Sequence, residues 1–169
     1  MGADVTVAED IERIIAQEQR LVFPGFDEHM AFAIGSAIRE RALKEELGLV
    51  AEVRLWDRPL FYVAMPGTTA DNPQWVRRKA NTVQRLQKST YRVVLENSWE
   101  GDVFPPGRGL DPMEFVLAGG GFPIRVQGVG VIGAVTVSGL PQRDDHEVVV
   151  RALCEQLGLD AAALALPRS

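Results

Sequence analysis

Hydrophobic residues change their spacing several times along this chain, and each change marks an element. Ile11, Ile14, Ile15 and Leu21 recur at helical spacing. Thr6 and Glu9 precede them as a capping box, in which hydroxyl and carboxylate each satisfy a free backbone N–H. Phe23-Pro24-Gly25 ends this helix, because Pro and Gly both interrupt helical backbone. From about Asp27 a long amphipathic helix is predicted. Met30, Ile34, Ala37, Ile38 and Ala42 line one face, Arg39, Glu40, Lys44 and Glu45 the other, and Gly48 supplies the stop.

The period then drops to two. Ala51, Val53 and Leu55 alternate with Glu52, Arg54 and Trp56, the pattern of a half-buried strand. Asp57-Arg58-Pro59 is a turn and Leu60–Met65 a second strand, so the short connection predicts an antiparallel hairpin. Asp71-Asn72-Pro73 opens the next helix with an Asx cap and a proline at the first helical position. Its apolar seam is Val76, Ala80 and Val83, with Trp75 and Leu86 beside it. A short helix over 89–98 and a loop over 101–112 follow.

Gly119-Gly120-Gly121 leads into Phe122–Val126, and after a turn at 127–130 comes the strongly apolar Val131–Ser138. Asp144 to Glu147 reads as a second capping box, starting a helix with the stripe Val149, Val150, Leu153, Cys154 and Leu157. Residues 159–169 read as a loose tail behind an ordered core of about 8–158. The reading is one domain without repeats, helices alternating with two hairpins, which predicts an α/β sandwich rather than a doubly wound parallel sheet.

Composition narrows the function classes. A net charge of −5 argues against a nucleic-acid partner, since phosphate recognition needs a concentrated basic surface. Cys154 is the only cysteine, which excludes an internal disulfide or thiolate metal cluster and suits a reducing compartment. The acidic start lacks the basic and apolar regions of a signal peptide, and no stretch reaches the roughly 18 apolar residues of a membrane span. The expected location is the cytoplasm, with no membrane partner.

Several segments resemble a known family. Gly120-Gly121-Phe122-Pro123-Ile124 followed by Val131-Ile132-Gly133-Ala134-Val135-Thr136-Val137-Ser138-Gly139 is similar to the glycine–proline strand and V-G-A-x-x-V-S-G strand of the haem-degrading-domain proteins, HbpS- and GlcG-like. The helix from Trp75 to Thr82 is similar to that family's K-A-x-T helix. Asp71-Asn72, Trp75, Arg78-Lys79, Asn81, Ser138-Gly139-Leu140-Pro141 and Asp145-His146 resemble its uncharacterised cytosolic branch. The resemblance runs from about Ile11 to Leu157. It implies a profilin-like α/β fold, a five-stranded antiparallel sheet flanked by helices, assembled into homo-oligomers. Some members bind haem or associate with corrinoid or glycolate metabolism, so family alone does not name a reaction.

The candidate ligand-binding residues are Trp75, Arg78, Lys79, Asn81, Gly120, Gly121, Ser138 and His146. His146 begins an apolar helical stripe near a helix N-terminus, where the dipole favours a neutral imidazole. It is the one candidate haem-iron ligand; the bland alternative is a partly buried histidine bonded to a backbone carbonyl or to Asp145. Lys79, one turn after Trp75, sits where its amine reaches a ligand carboxylate or phosphate, with Arg78 beside it; the alternative is a solvated helix face paired with Glu or Asp from a neighbouring subunit. Haem propionates would suit such a clamp. The glycine run precedes a strand, not a helix, so a nucleotide loop is not expected. Ser138 lacks the flanking glycines of a hydrolase elbow, His29 reads as a solvated cap residue, and Cys154 as an inert buried thiol. Gly133 and Ala134, with Val131, Val135 and Val137, suggest a flat apolar subunit interface. No catalytic constellation and no protein metal site emerge. The sequence supports a homo-oligomer that binds a small anionic, partly apolar ligand, haem being one candidate; a scaffold without ligand is the alternative.

Overall fold

The computed structural model describes residues 2–167, with side chains described from Val7 onward. In chain order the elements are α1 (Gly2–Arg20), β1 (Val22–Phe23), α2 (Glu28–Glu45), β2 (Val50–Leu55), β3 (Arg58–Ala64), α3 (Asp71–Leu86), α4 (Thr90–Glu96), β4 (Gly121–Val126), β5 (Gly130–Ser138), α5 (Gln142–Leu157) and α6 (Ala161–Leu164). The strands form one five-stranded sheet in the order β1-β4-β5-β2-β3. Both expected hairpins form, and β5 joins them by pairing antiparallel with β2, Val53 opposite Val135. The sheet departs from all-antiparallel at one edge. Val22-Phe23, expected only as the end of a helix, runs parallel to β4 opposite Arg125 and Val126, and Phe23 anchors it in the core.

Strand alternation decides what each face meets. Ala51, Val53, Phe122, Ile124, Val135 and Val137 point to the side where α2 and α5 supply Ile34, Ile38, Val149 and Leu153. The opposite face carries Ala134 beneath Ala80 and Val83 of α3, with Trp56 alongside. β2 is therefore covered on both sides at its start, and Glu52 is 8% exposed where a half-buried strand was expected. The Gly133–Ala134 pair is internal, contrary to the expected subunit surface. A Cβ at Gly133 would lie 1.9 Å from the Arg54 carbonyl oxygen, so the absent side chain lets β5 and β2 pair closely.

Helix starts follow the chemistry less faithfully than helix existence. Asp27 caps α2, accepting from Met30 N at 2.9 Å. Thr6 lies inside α1, which already runs from Gly2. The cap of α3 is Ala70; Asn72 instead accepts from Thr69 N at 2.9 Å. α5 begins at Gln142, two residues before its expected box, and Glu147 accepts from Leu166 N instead. The tail is packed as far as it is described. α6 forms, and Leu164 and Leu166 are buried. Among the described residues no helix is long and apolar enough to cross a membrane.

Candidate functional site

The expected site residues fall into three separate places. The first is a sealed junction between α3, β5 and α5. Lys79 points inward from α3 and donates to the Val137 carbonyl at 2.9 Å and to Asp145 Oδ2 at 3.1 Å. Asp145 also accepts from Leu140 N at 3.0 Å, which ties the turn after β5 to α5. Both side chains are almost wholly buried, 4% and 2% exposed, and burial dominates their titration. It lowers the Lys79 pKa against the attraction of Asp145, and raises that of Asp145 to about 6 against the attraction of Lys79. Gly120 borders this junction at φ +129°, with its missing Cβ 2.3 Å from the Val137 carbonyl oxygen and 2.9 Å from Lys79 Nζ. Only glycine fits that backbone and that gap. Gly121 donates its N–H to Thr90 Oγ1 at 2.9 Å, and Ser138 closes β5 opposite Val50. Lys79 thus holds the fold through an ion pair within the chain and offers no amine to solvent.

The second place is the outer face of α3. The Arg78 guanidinium stacks on Trp75, 4.5 Å from the ring centroid, and the Trp75 indole donates to Asp71 at 3.0 Å. Asn81 donates to the Glu114 carbonyl at 2.9 Å, and Arg77 to Glu114 Oε2 at 3.0 Å. These contacts strap the 111–116 segment over the helix. The surface they make carries none of the residues that line the larger concavities described below.

The third is His146, fully buried on α5 between Tyr91 and Phe122, with ring centroids 5.5 and 5.8 Å away. Its Nε2 lies 2.8 Å from Gln17 Oε1. Gln17 Nε2 donates to the Leu164 carbonyl at 2.8 Å, so the amide turns its oxygen to the imidazole. His146 therefore carries its proton on Nε2, and Nδ1 is a buried lone pair with no partner. Burial pushes its pKa down to about 3, with Arg143 adding to the effect. The ring is neutral as expected, but for want of water more than because of a helix dipole. Cys154 is likewise enclosed and its thiol is pushed up to about 11 by burial. His29 is exposed at the start of α2. Among the described residues no group of three or more His, Cys, Asp or Glu is placed to hold a metal ion.

A further concavity lies elsewhere, between α2, α5 and α6. It encloses about 760 Å³ and is lined by Arg41, Arg143 and Arg151, by Asp144 and Glu147, and by an apolar wall including Val150, Ala161, Ala165, Leu166 and Pro167. A neighbouring hollow of about 400 Å³ along α2 shares Arg41 and Arg151. Arg143 is committed to Asp10, at 2.5 Å, and to the Pro167 carbonyl. Arg41 and Arg151 are held only by the exposed carboxylates one turn along their own helices, Glu45 at 2.6 Å and Glu155 at 3.6 Å. Burial raises the Glu147 pKa, and Oε1 of this side chain has no hydrogen-bond partner among the described residues.

Residues 26–154 match the family described as haem degrading protein HbpS-like. The chain belongs to that family. A UPF0303 protein of Mesorhizobium japonicum is 57% identical over 162 residues, covering 96% of this chain and 97% of the relative. A UPF0303 protein of Brucella melitensis is 57% identical over 157 residues, 93% of each. The fold is shared with the crystal structure of the Ybr137w protein, with TM-score 0.78 at 24% identity over 86% of each chain. It is shared too with a PduOC:heme complex, with TM-score 0.62 at 19% identity over 77% of this chain and 94% of the other. The family resemblance read from the strand and helix motifs is correct.

Sequence reasoning passed over Gln17, the partner of His146, and the groove arginines Arg41 and Arg151. Gln17 lies 129 residues from His146 in sequence, which no local spacing reveals. The available signal for the arginines was their i,i+4 pairing with Glu45 and Glu155, but that is the ordinary pattern of a solvated helix face.

Proposed function

We propose that this chain is a binding protein for a small anionic, partly apolar molecule, seated in the groove between α2, α5 and α6. The observation that carries this reading is the pair Arg41 and Arg151 beside an apolar wall. Exposed ion pairs contribute only about 0–1 kcal/mol each, so a ligand carboxylate displaces Glu45 and Glu155 at small cost. Val150, Ala165 and Leu166 then cover the apolar part of the ligand. The sequence resemblance pointed to the same ligand class but to other side chains.

Haem is the ligand suggested by the family description and by the PduOC complex. The residues meet it only halfway. Arg41 and Arg151 suit propionates, whereas the groove lining includes no histidine, cysteine or methionine for iron. His146 is sealed, with Nε2 already bonded to Gln17. Axial ligation by His146 does not fit this conformation, and iron has no part in the reading. Hemin serves well as a dicarboxylate probe. It is expected to raise the melting temperature of the wild type, and the shift is expected to vanish in Arg41→Gln/Arg151→Gln. An undiminished shift in that double variant would remove the groove as the site.

A second reading, self-assembly, is favoured by one observation. β3 is an edge strand; Tyr62 on it is 47% exposed and Phe32 beside it 64%, with Phe32 set edge-on to Phe61 at 6.0 Å. An unpaired strand flanked by exposed aromatics is suited to pairing with a second copy of itself. Native mass spectrometry reads this directly, and a protomer mass at micromolar protein would count against it.

A further inference from the structure

Two hollows adjoin the α2–α5–α6 groove, one beyond each end, and through shared rim residues the three form one trough. The hollow along α2 shares Arg41 and Arg151 with the groove. At the opposite end, a hollow of about 350 Å³ on α1 is lined by Glu9, Glu12, Arg13 and Ala16, and Pro167 borders both it and the groove. The ends lie well apart. Arg143, tied to Asp10 of α1, and Arg151 are separated by two turns of α5, or about 12 Å at the helical rise of about 1.5 Å per residue.

The charge that a ligand meets changes along this trough. Near α1 stand three exposed carboxylates, Glu9, Glu12 and Asp144. None of them forms an ion pair among the described residues. Arg13, in the same hollow, is directed to the Ala163 carbonyl at 2.6 Å. At the α2 end Arg41 and Arg151 are paired with Glu45 and Glu155, so that end receives an anion by displacing those two carboxylates. Between the ends lies the apolar wall of Val150, Ala165 and Leu166.

A molecule that uses the whole trough therefore carries a cation at one end, an anion at the other, and an apolar stretch of about 12 Å between them. Haem has both carboxylates on one edge and no cation, so it leaves the acidic end unused. A zwitterionic lipid headgroup holds its two charges side by side. A linear peptide meets all three demands: extended backbone advances about 3.3 Å per residue, so about four to six residues cover the distance. We propose that the trough seats a short extended peptide, with its carboxylate end at Arg41 and Arg151 and its amino or basic end at Glu9, Glu12 and Asp144. This rests on the reading of the groove as an anion site and narrows the ligand to one class.

The probe is the pentapeptide Lys-Leu-Val-Leu-Glu with free ends, titrated calorimetrically into the full-length protein at low salt, where exposed charges are least screened. It is expected to bind, and Glu9→Gln/Glu12→Gln/Asp144→Asn to weaken it at least five-fold while the hemin-induced rise in melting temperature stays as in the wild type. Acetylated Gln-Leu-Val-Leu-Glu, which lacks both positive charges, should bind the wild type at least five-fold more weakly and be indifferent to the triple substitution. Arg41→Gln/Arg151→Gln should weaken pentapeptide and hemin alike. The substituted side chains stand on helix surfaces, and thermal unfolding without ligand checks that each variant folds. No binding of the pentapeptide, or equal affinity for wild type and triple variant, overturns the peptide seat, even where hemin depends on the two arginines as expected. Hemin that ignores Arg41→Gln/Arg151→Gln overturns the groove reading, and the peptide seat with it.

Discussion

At the scale of single residues, two ionisable groups of α5 sit next to each other and respond to acid in opposite senses. The His146 pKa is lowered from 6.5 to about 3 by burial. As pH falls, the unfolded chain therefore takes up this proton first. The stability that His146 contributes is whole above pH 6.5 and is lost towards pH 3, at about 1.4 kcal/mol per pH unit. Asp145 is raised from 3.8 to about 6, so there the folded state takes up the proton first and stability rises as pH falls through that window. A plain acid titration mixes the two. Comparison with His146→Leu isolates the first: the urea-measured difference from wild type should shrink by about 2 kcal/mol between pH 7 and pH 5. A difference that is constant with pH would mean that the ring is solvated. Part of this site was legible in the sequence. His146 at the head of an apolar stripe is buried, in the sense that the stripe suggests, whereas Lys79, read as meeting a ligand or solvent, turns inward instead. What each one met was hidden, because Asp145 lies 66 residues from Lys79 and Gln17 lies 129 from His146.

Elements were legible where periodicity was long, and obscured where a tertiary partner competed for the capping side chain. Asp27 caps its helix because nothing else claims it. The box at Asp144 and Glu147 fails because Glu147 accepts from Leu166 N, far along the chain. The two-residue β1 has no period to detect, and only its parallel pairing with β4 defines it. Gly133 shows the same limit from the other side. Its small size was visible, but not that the Arg54 backbone fills the space. The β5–β2 pairing there leaves no room for a methyl group, and the crowded atom is backbone rather than a flexible side chain. Gly133→Ala should therefore destabilise by about 1–3 kcal/mol, as overpacking in a rigid place does. The midpoint of chemical unfolding measures this, and a loss under 0.5 kcal/mol would show that the ladder relaxes easily.

The whole molecule presents an unequal surface. The two edge strands of the sheet differ: β1 has two residues, whereas β3 has seven, carries the exposed Tyr62 and has exposed Phe32 beside it. Natural edge strands are usually protected by charge, proline or a bulge. Here Arg58 and Pro59 guard the first part of β3, and the bulge between Val53 and Arg54 lies opposite that same part. The stretch from Leu60 to Val63 is left bare. Under the self-assembly reading, a second β3 extends the sheet and Phe32 and Tyr62 pack across the join. A stable join of this kind covers roughly 800 Å² per partner, so two lysines near its centre oppose it strongly. Phe32→Lys/Tyr62→Lys is accordingly expected to reduce the mass by light scattering to that of the 18.6 kDa protomer, with an unchanged thermal unfolding profile below the main transition. Arg41→Gln/Arg151→Gln, on the helical face around the groove, is expected to leave the mass of the assembly as it was. Retention of the larger mass by the lysine variant would place the contact on some other face. Loss of mass in the arginine variant would merge the groove with the interface, making ligand binding and assembly properties of the same surface.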